Sequence, residues 1–130
     1  MKSSRGFTVV ELIIVIVVIG LASVLFFVQK NTVQVAARDE MRKTSINSMY
    51  YALEEVYFKQ NSSYPLTVNA TVLPSVDPNL FKDSNGVKIG ESSSEFRYEP
   101  ANCSTTSCKS YVLRTTLENE DDYVKQSRNN

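Results

Sequence analysis

Residues 6–28 read GFTVVELIIVIVVIGLASVLFFV, an apolar stretch carrying a single carboxylate, Glu11, near its start. As a helix, residues 7–28 extend about 33 Å, against a hydrocarbon core of roughly 30 Å. Lys2 and Arg5 precede the stretch and Lys30 follows it, so cations mark both ends. The short basic leader predicts a cytoplasmic N-terminus with the bulk of the chain exported. A carboxylate costs about 2.5–3.5 kcal/mol at the centre of a bilayer and less near its interface. Even the smaller cost calls for a partner.

Three processing routes fit such a segment. A conventional signal peptide is cleaved after Gly20-Leu21-Ala22. That cut leaves apolar residues 24–28 near the new terminus, and Glu11 interrupts the apolar region. A plain signal anchor retains everything and gives Glu11 no role. The third route cuts between Gly6 and Phe7 and keeps the whole apolar segment.

The third route is carried by a resemblance. The run RGFTVVELIIVIVVIGLASV, residues 5–24, resembles the class III signal sequence of type IV pilins and of type II secretion or competence pseudopilins. The matching elements are the basic leader ending in Gly6, then Phe7, Thr8, Glu11 and an unbroken apolar run. The resemblance implies that prepilin peptidase cuts after Gly6 and that Phe7 becomes an N-methylated terminus. It further implies that Glu11 pairs with a neighbour's Phe7 amine in a filament. The implied fold is α+β and pilin-like: a long N-terminal helix, transmembrane then amphipathic, packed on a small three- or four-stranded antiparallel sheet. The implied divisions are a leader at 1–6, a transmembrane and polymerisation helix at 7–29, its amphipathic continuation at 30–60 and a globular head at 61–130. As one rod, residues 7–60 span about 80 Å.

The rest of the chain suits that frame. At 130 residues there is room for one membrane helix and one small domain. Acidic and basic side chains balance at 14 each, and removal of Lys2 and Arg5 with the leader leaves the mature side chains two charges negative. From Lys30 to Gln60 no glycine or proline occurs. Val33, Ala37, Met41, Met49, Leu53 and Val56, with Ser45 filling the gap, recur at spacings of three and four. Over residues 46–57 that stripe predicts a half-buried core helix with its charged residues solvated. Over residues 30–41 it is thinner and alanine-rich, and that stretch is expected to protrude between membrane and head. Residues 61–65, Asn-Ser-Ser-Tyr-Pro, end the helix.

Residues 66–85 read as a loop pinned by Leu66, Val68, Val72, Leu73, Val76, Leu80 and Phe81. Asp83, Asn85 and Gly86 read as a turn; a calcium loop needs further acids at fixed spacing, and these are missing. Short alternating runs predict strands at 87–89, 96–98, 111–117 and 123–125, with an acidic turn at 118–122. Residues 127–130 are expected to fray. Cys103 and Cys108, the only cysteines, predict one disulfide outside the cytoplasm, worth about 2 kcal/mol across so short a loop.

No histidine is present, which removes the commonest general base and metal ligand. With no nucleophile motif, phosphate loop or metal cluster, the chain reads as no enzyme, with no cofactor and no metal site. The expected partners are further copies of itself, related minor pilins, prepilin peptidase, an inner-membrane assembly platform, and lipid before assembly. The expected location is the inner membrane, with a single pass and the head outside the cytoplasm, and then a surface pilus or an envelope pseudopilus. The alternative is a minor pilin that takes up DNA or adheres to surfaces, or a plain membrane-anchored domain. Residues 61–130 hold seven basic and nine acidic side chains, which gives no positive field for DNA.

Overall fold

A computed structural model describes residues 6–129, so the basic leader is represented by Gly6 alone. Its other residues, 1–5, lie outside the described residues, as does Asn130. The chain divides into two compact units, Met1–Val35 and Ala36–Asn130, which meet inside the first helix, α1 (Val9–Tyr51).

In the first unit the helix is rich in Val and Ile, which are indifferent helix formers in water. In an apolar surrounding the backbone must satisfy itself, and a helix does so within one segment. The large apolar side chains from Phe7 to Val28 are all exposed. Of all the described residues, only those of this helix form a segment long and apolar enough to cross a membrane.

In the second unit, α1 gives way to a π-helical segment (Ala52–Tyr57) and a last turn, α2 (Phe58–Asn61). Ser62, at φ 51°, breaks the helix by entering the left-handed region. A 3₁₀ turn (Pro78–Phe81) follows, with Pro78 at its start and the Asp77 carboxylate accepting from the Asn79 N–H at 2.8 Å. Three strands, β1 (Phe96–Cys103), β2 (Cys108–Thr115) and β3 (Tyr123–Gln126), form an antiparallel meander in the order β1-β2-β3. The fold is thus α+β, a long helix with a small antiparallel sheet.

Central β2 buries Tyr111, Leu113 and Thr115 on one face, and Phe96 on β1 joins them. Pro100, which lacks an N–H, sits on edge strand β1, where it is tolerated. Helix residues Ile46, Met49, Ala52 and Leu53 close the core from the other side, and loop residues Val68, Leu73, Val76 and Phe81 fill it. The dipeptide Tyr64-Pro65 is stitched to the sheet. Tyr64 and Cys108 exchange both backbone hydrogen bonds, at 2.9 and 2.8 Å, and the Tyr98 hydroxyl donates to the Pro65 carbonyl at 2.7 Å. At the same end, the tip of the β1–β2 hairpin, Cys103 and Cys108 are bonded in a disulfide.

Several local expectations are corrected. Residues 87–89 form no strand; Lys88 makes only an isolated bridge to Lys82. The Asp83 carboxylate accepts from the amides of Asn85, Val87 and Glu95, which curls the chain, and Gly90 at φ 93° then turns it away. Burial pushes the Asp83 carboxyl up, but these amide bonds outweigh it and hold it below its ordinary value. Strand β2 stops at Thr115, short of Leu117. Leu66 is exposed rather than a buried anchor.

The helix stripe is also different. Val33 and Met41 face outward, as expected of a protruding stretch, but the buried line runs through Asp39, Arg42, Ser45, Ile46 and Met49. Nor do residues 127–129 fray; the expectation for Asn130 lies outside the described residues. Ser127 pairs with Tyr111 through two hydrogen bonds, and Arg128 reaches the Tyr50 hydroxyl at 2.9 Å and the Glu55 carboxylate at 2.6 Å.

Beneath that tail lies Glu54, only 4% exposed. The Tyr111 hydroxyl donates to it at 2.8 Å, the Tyr64 hydroxyl at 3.1 Å and the Arg128 N–H at 3.2 Å. The π-helical turns place Ala52, Leu53 and Glu54 all inside, so an acid follows directly on the apolar face. Removing the carboxylate strands two buried hydroxyls. Glu54→Ala is expected to destabilise the head by about 3 kcal/mol and Glu54→Gln by about 1 kcal/mol. Denaturant unfolding of the detergent-solubilised chain checks both; equal losses for the two would contradict this account.

Candidate functional site

Gly6, Phe7 and Thr8 precede the first helical turn, and Gly6 and Phe7 are exposed, so the peptide bond between them is open to an enzyme. Thr8 is the cap: its hydroxyl accepts from the Glu11 N–H at 3.3 Å and its carbonyl from the Leu12 N–H at 3.1 Å. Thr8-x-x-Glu11 has the spacing of a capping box, a signal readable in the sequence but missed there. Glu11 lies in the first turn, where a negative charge complements the exposed amides.

The other polar groups of the apolar stretch are satisfied inside the helix. Ser23 donates to the Ile19 carbonyl at 2.8 Å, and Thr8 is engaged as the cap. The Glu11 carboxylate makes no hydrogen bond or ion pair with any other described residue. It is exposed on a helix whose neighbouring side chains are Val10, Leu12, Ile14 and Val15. Within this unit the structure brings Gly6, Phe7 and Glu11 to one end of the helix. Cys103 and Cys108 belong to the other unit, at a hairpin tip.

Residues 1–27 match the family model described as the prokaryotic N-terminal methylation motif. Over that stretch the chain is similar to the N-terminus of type IV pilin-like proteins. The motif supports a type IV pilin-like prepilin-peptidase substrate and points to a structural subunit. No curated protein and no solved structure matches it. Among the described residues, no group of three or more His, Cys, Asp or Glu is placed to hold a metal ion.

The Ala36–Asn130 unit is fastened by a second set of charges that sequence reading assigned to solvent. Arg42 is 6% exposed and serves three carboxylates: Asp39 at 2.8 Å, Glu95 at 2.9 Å through a two-pronged contact, and Glu118 at 3.0 Å. Arg38 grips Glu118 with two bonds of 2.7 Å, and Asp39 accepts from the Glu118 and Asn119 amides. Lys43 meets Glu120 at 2.8 Å. One helical turn thus ties down both the segment before β1 and the loop between β2 and β3. The i,i+3 pair Asp39 and Arg42 was visible in the sequence, but its partners 53 and 76 residues away from Arg42 were not.

These contacts set protonation. The Arg38 fork, together with Arg42, holds the Glu118 carboxyl down at about 2, against an ordinary 4.5. Burial pushes Asp39 up, but the Glu118 amide, Arg42 and the Asn119 amide outweigh it and lower it. Burial likewise opposes the charge on Arg42, yet its three carboxylates raise its pKa further still. Because the carboxyls are depressed in the folded state, their stabilisation is complete above their ordinary values and is lost as pH falls towards the folded ones. Head stability is therefore expected to hold from neutral pH to about 4.5 and to decline between there and about 2. Arg42→Met, which leaves buried Asp39 unpaired, is expected to cost about 3 kcal/mol at pH 7 and to flatten that acid decline. Thermal unfolding across pH measures both effects.

Proposed function

We propose that this protein is the building unit of a type IV pilus or pseudopilus, held in the inner membrane through residues 7–29 until it polymerises. Prepilin peptidase hydrolyses the Gly6–Phe7 amide, leaving a carboxylate on Gly6 and an ammonium on Phe7. Transfer of a methyl group to that nitrogen from a methylsulfonium donor, whose S–C bond breaks as the N–C bond forms and the nitrogen gives up one proton, keeps the terminus cationic. In the filament the Phe7 amine of one copy meets Glu11 of a neighbour, while the apolar helices pack on one another.

The observation that carries this reading is the methylation motif over residues 1–27, joined to a Glu11 carboxylate without a partner among the described residues. At about 4 Å an amine–carboxylate pair is worth ~4 kcal/mol at an effective dielectric of 20, before desolvation is deducted. Its greater use is register, since a misaligned neighbour leaves both charges buried and unpaired. The partners in this reading are further copies, related minor pilins, the peptidase, an assembly platform and lipid. The head stands outside the cytoplasm, a location that suits its disulfide. The acidic excess of residues 61–130 lends no support to DNA uptake.

The mass and first residue of the mature protein test the processing step. N-methyl-Phe7 is expected; a start at Ser23 would sink the proposal. Glu11→Ala is expected to be cleaved normally yet to yield few filaments, and normal filaments from it would refute the pairing.

A further inference from the structure

The filament reading, on which this inference rests, sets a requirement that the head can meet. A helical polymer joins two different patches on each subunit, because a patch that pairs with itself closes a dimer instead. Two patches of opposite sign lie within the Ala36–Asn130 unit.

The first is cationic. Lys82 and Lys88 are direct partners in an antiparallel bridge, fixed by the Ile89 N–H donating to the Phe81 carbonyl at 2.8 Å. Directly opposed residues project to the same side, and like charges there are destabilising. Both line a cavity of about 360 Å³ walled by Val68, Pro78, Phe81 and Ile89. Neither ammonium meets a carboxylate among the described residues, although Arg38, Arg42, Lys43, Lys59, Arg114 and Arg128 all do. Apolar walls beside charges of one sign focus their field outward. The second patch is anionic. Asp121 and Asp122 stand exposed in the loop between β2 and β3, and neither carboxylate has a cation among the described residues. That loop is held from behind, through Glu118 on Arg38 and Glu120 on Lys43, so the two acids are presented on an anchored base.

We infer that the cavity mouth at Lys82 and Lys88 receives the Asp121 and Asp122 carboxylates of the next copy in the filament. The contact runs head to tail, each subunit offering its acids to one neighbour and its lysines to another. It specifies orientation, because a reversed neighbour sets lysine on lysine.

Charge exchange in the full chain, expressed with its assembly machinery, tests this. Lys82→Glu with Lys88→Glu, and separately Asp121→Lys with Asp122→Lys, are each expected to cut sheared filament yield at least about tenfold. Carrying all four changes restores complementarity and is expected to recover most of that yield. Cleavage at Gly6 and unchanged thermal unfolding of the head show that the variants mature and fold. Double variants that polymerise like the original chain, or a fourfold variant as defective as the doubles, would overturn the inference. Carbodiimide treatment of the unaltered filaments gives a second readout. Amide cross-links from Lys82 or Lys88 of one copy to Asp121 or Asp122 of another are expected. Links from the lysines only to a different protein, or to other carboxylates of this chain, would overturn it. Failure of the unaltered chain to form filaments is a distinct result, since it removes the filament reading itself.

Discussion

Over residues 9–28, helix α1 leaves its large apolar side chains uncovered by the other described residues. Each large apolar side chain left in water forgoes about 1.5–3 kcal/mol of burial, so the segment has to be housed by something else. Lipid meets that requirement, and so do parallel copies of the same helix; for such a surface the two are nearly equivalent solvents. What distinguishes them is the carboxylate of Glu11. Serine and threonine hydroxyls along the helix fold back onto its own backbone and are indifferent to the choice. Glu11 is not, and in the filament proposed above it is the group that makes one apolar environment preferable to the other.

The second unit solves a different problem. A small head buries only a modest core, and here much of its definition comes from charges turned inward. Arg42 gathers acids from three places in the chain, and Glu54 gathers hydroxyls and amides from three more. Such networks add little net stability over apolar packing, but they penalise any arrangement that leaves a member without its partner. They also explain how two long irregular segments are held without regular structure.

The apolar helix, the antiparallel meander and the cysteine pairing could all be read from the chain, because each rests on local pattern: an unbroken apolar run, alternation, and two cysteines with no others. The inward charges could not. A periodicity of apolar residues overlooks a buried line whose members are Asp39, Arg42 and Ser45, and so the stripe was drawn through Met41 instead. Residues 87–89 alternate like a strand, yet Asp83 spends its carboxylate on their turn and Gly90 redirects the chain. The π-helical segment left no mark in the sequence, and the docked tail depends on contacts more than 70 residues away. Propensity describes neighbours in sequence, whereas these features were decided by neighbours in space.

The position of that tail has a temporal side. Two of the groups that close over Glu54, the Arg128 amide and the Asn129 side chain, come more than 70 residues after it in the chain. A chain emerging from its N-terminus can form the helix, then the hairpin of β1 and β2, while this carboxylate is still open to water. Only when residues 128 and 129 arrive is it sealed. A copy cut short before them carries its defect at the centre of its own core.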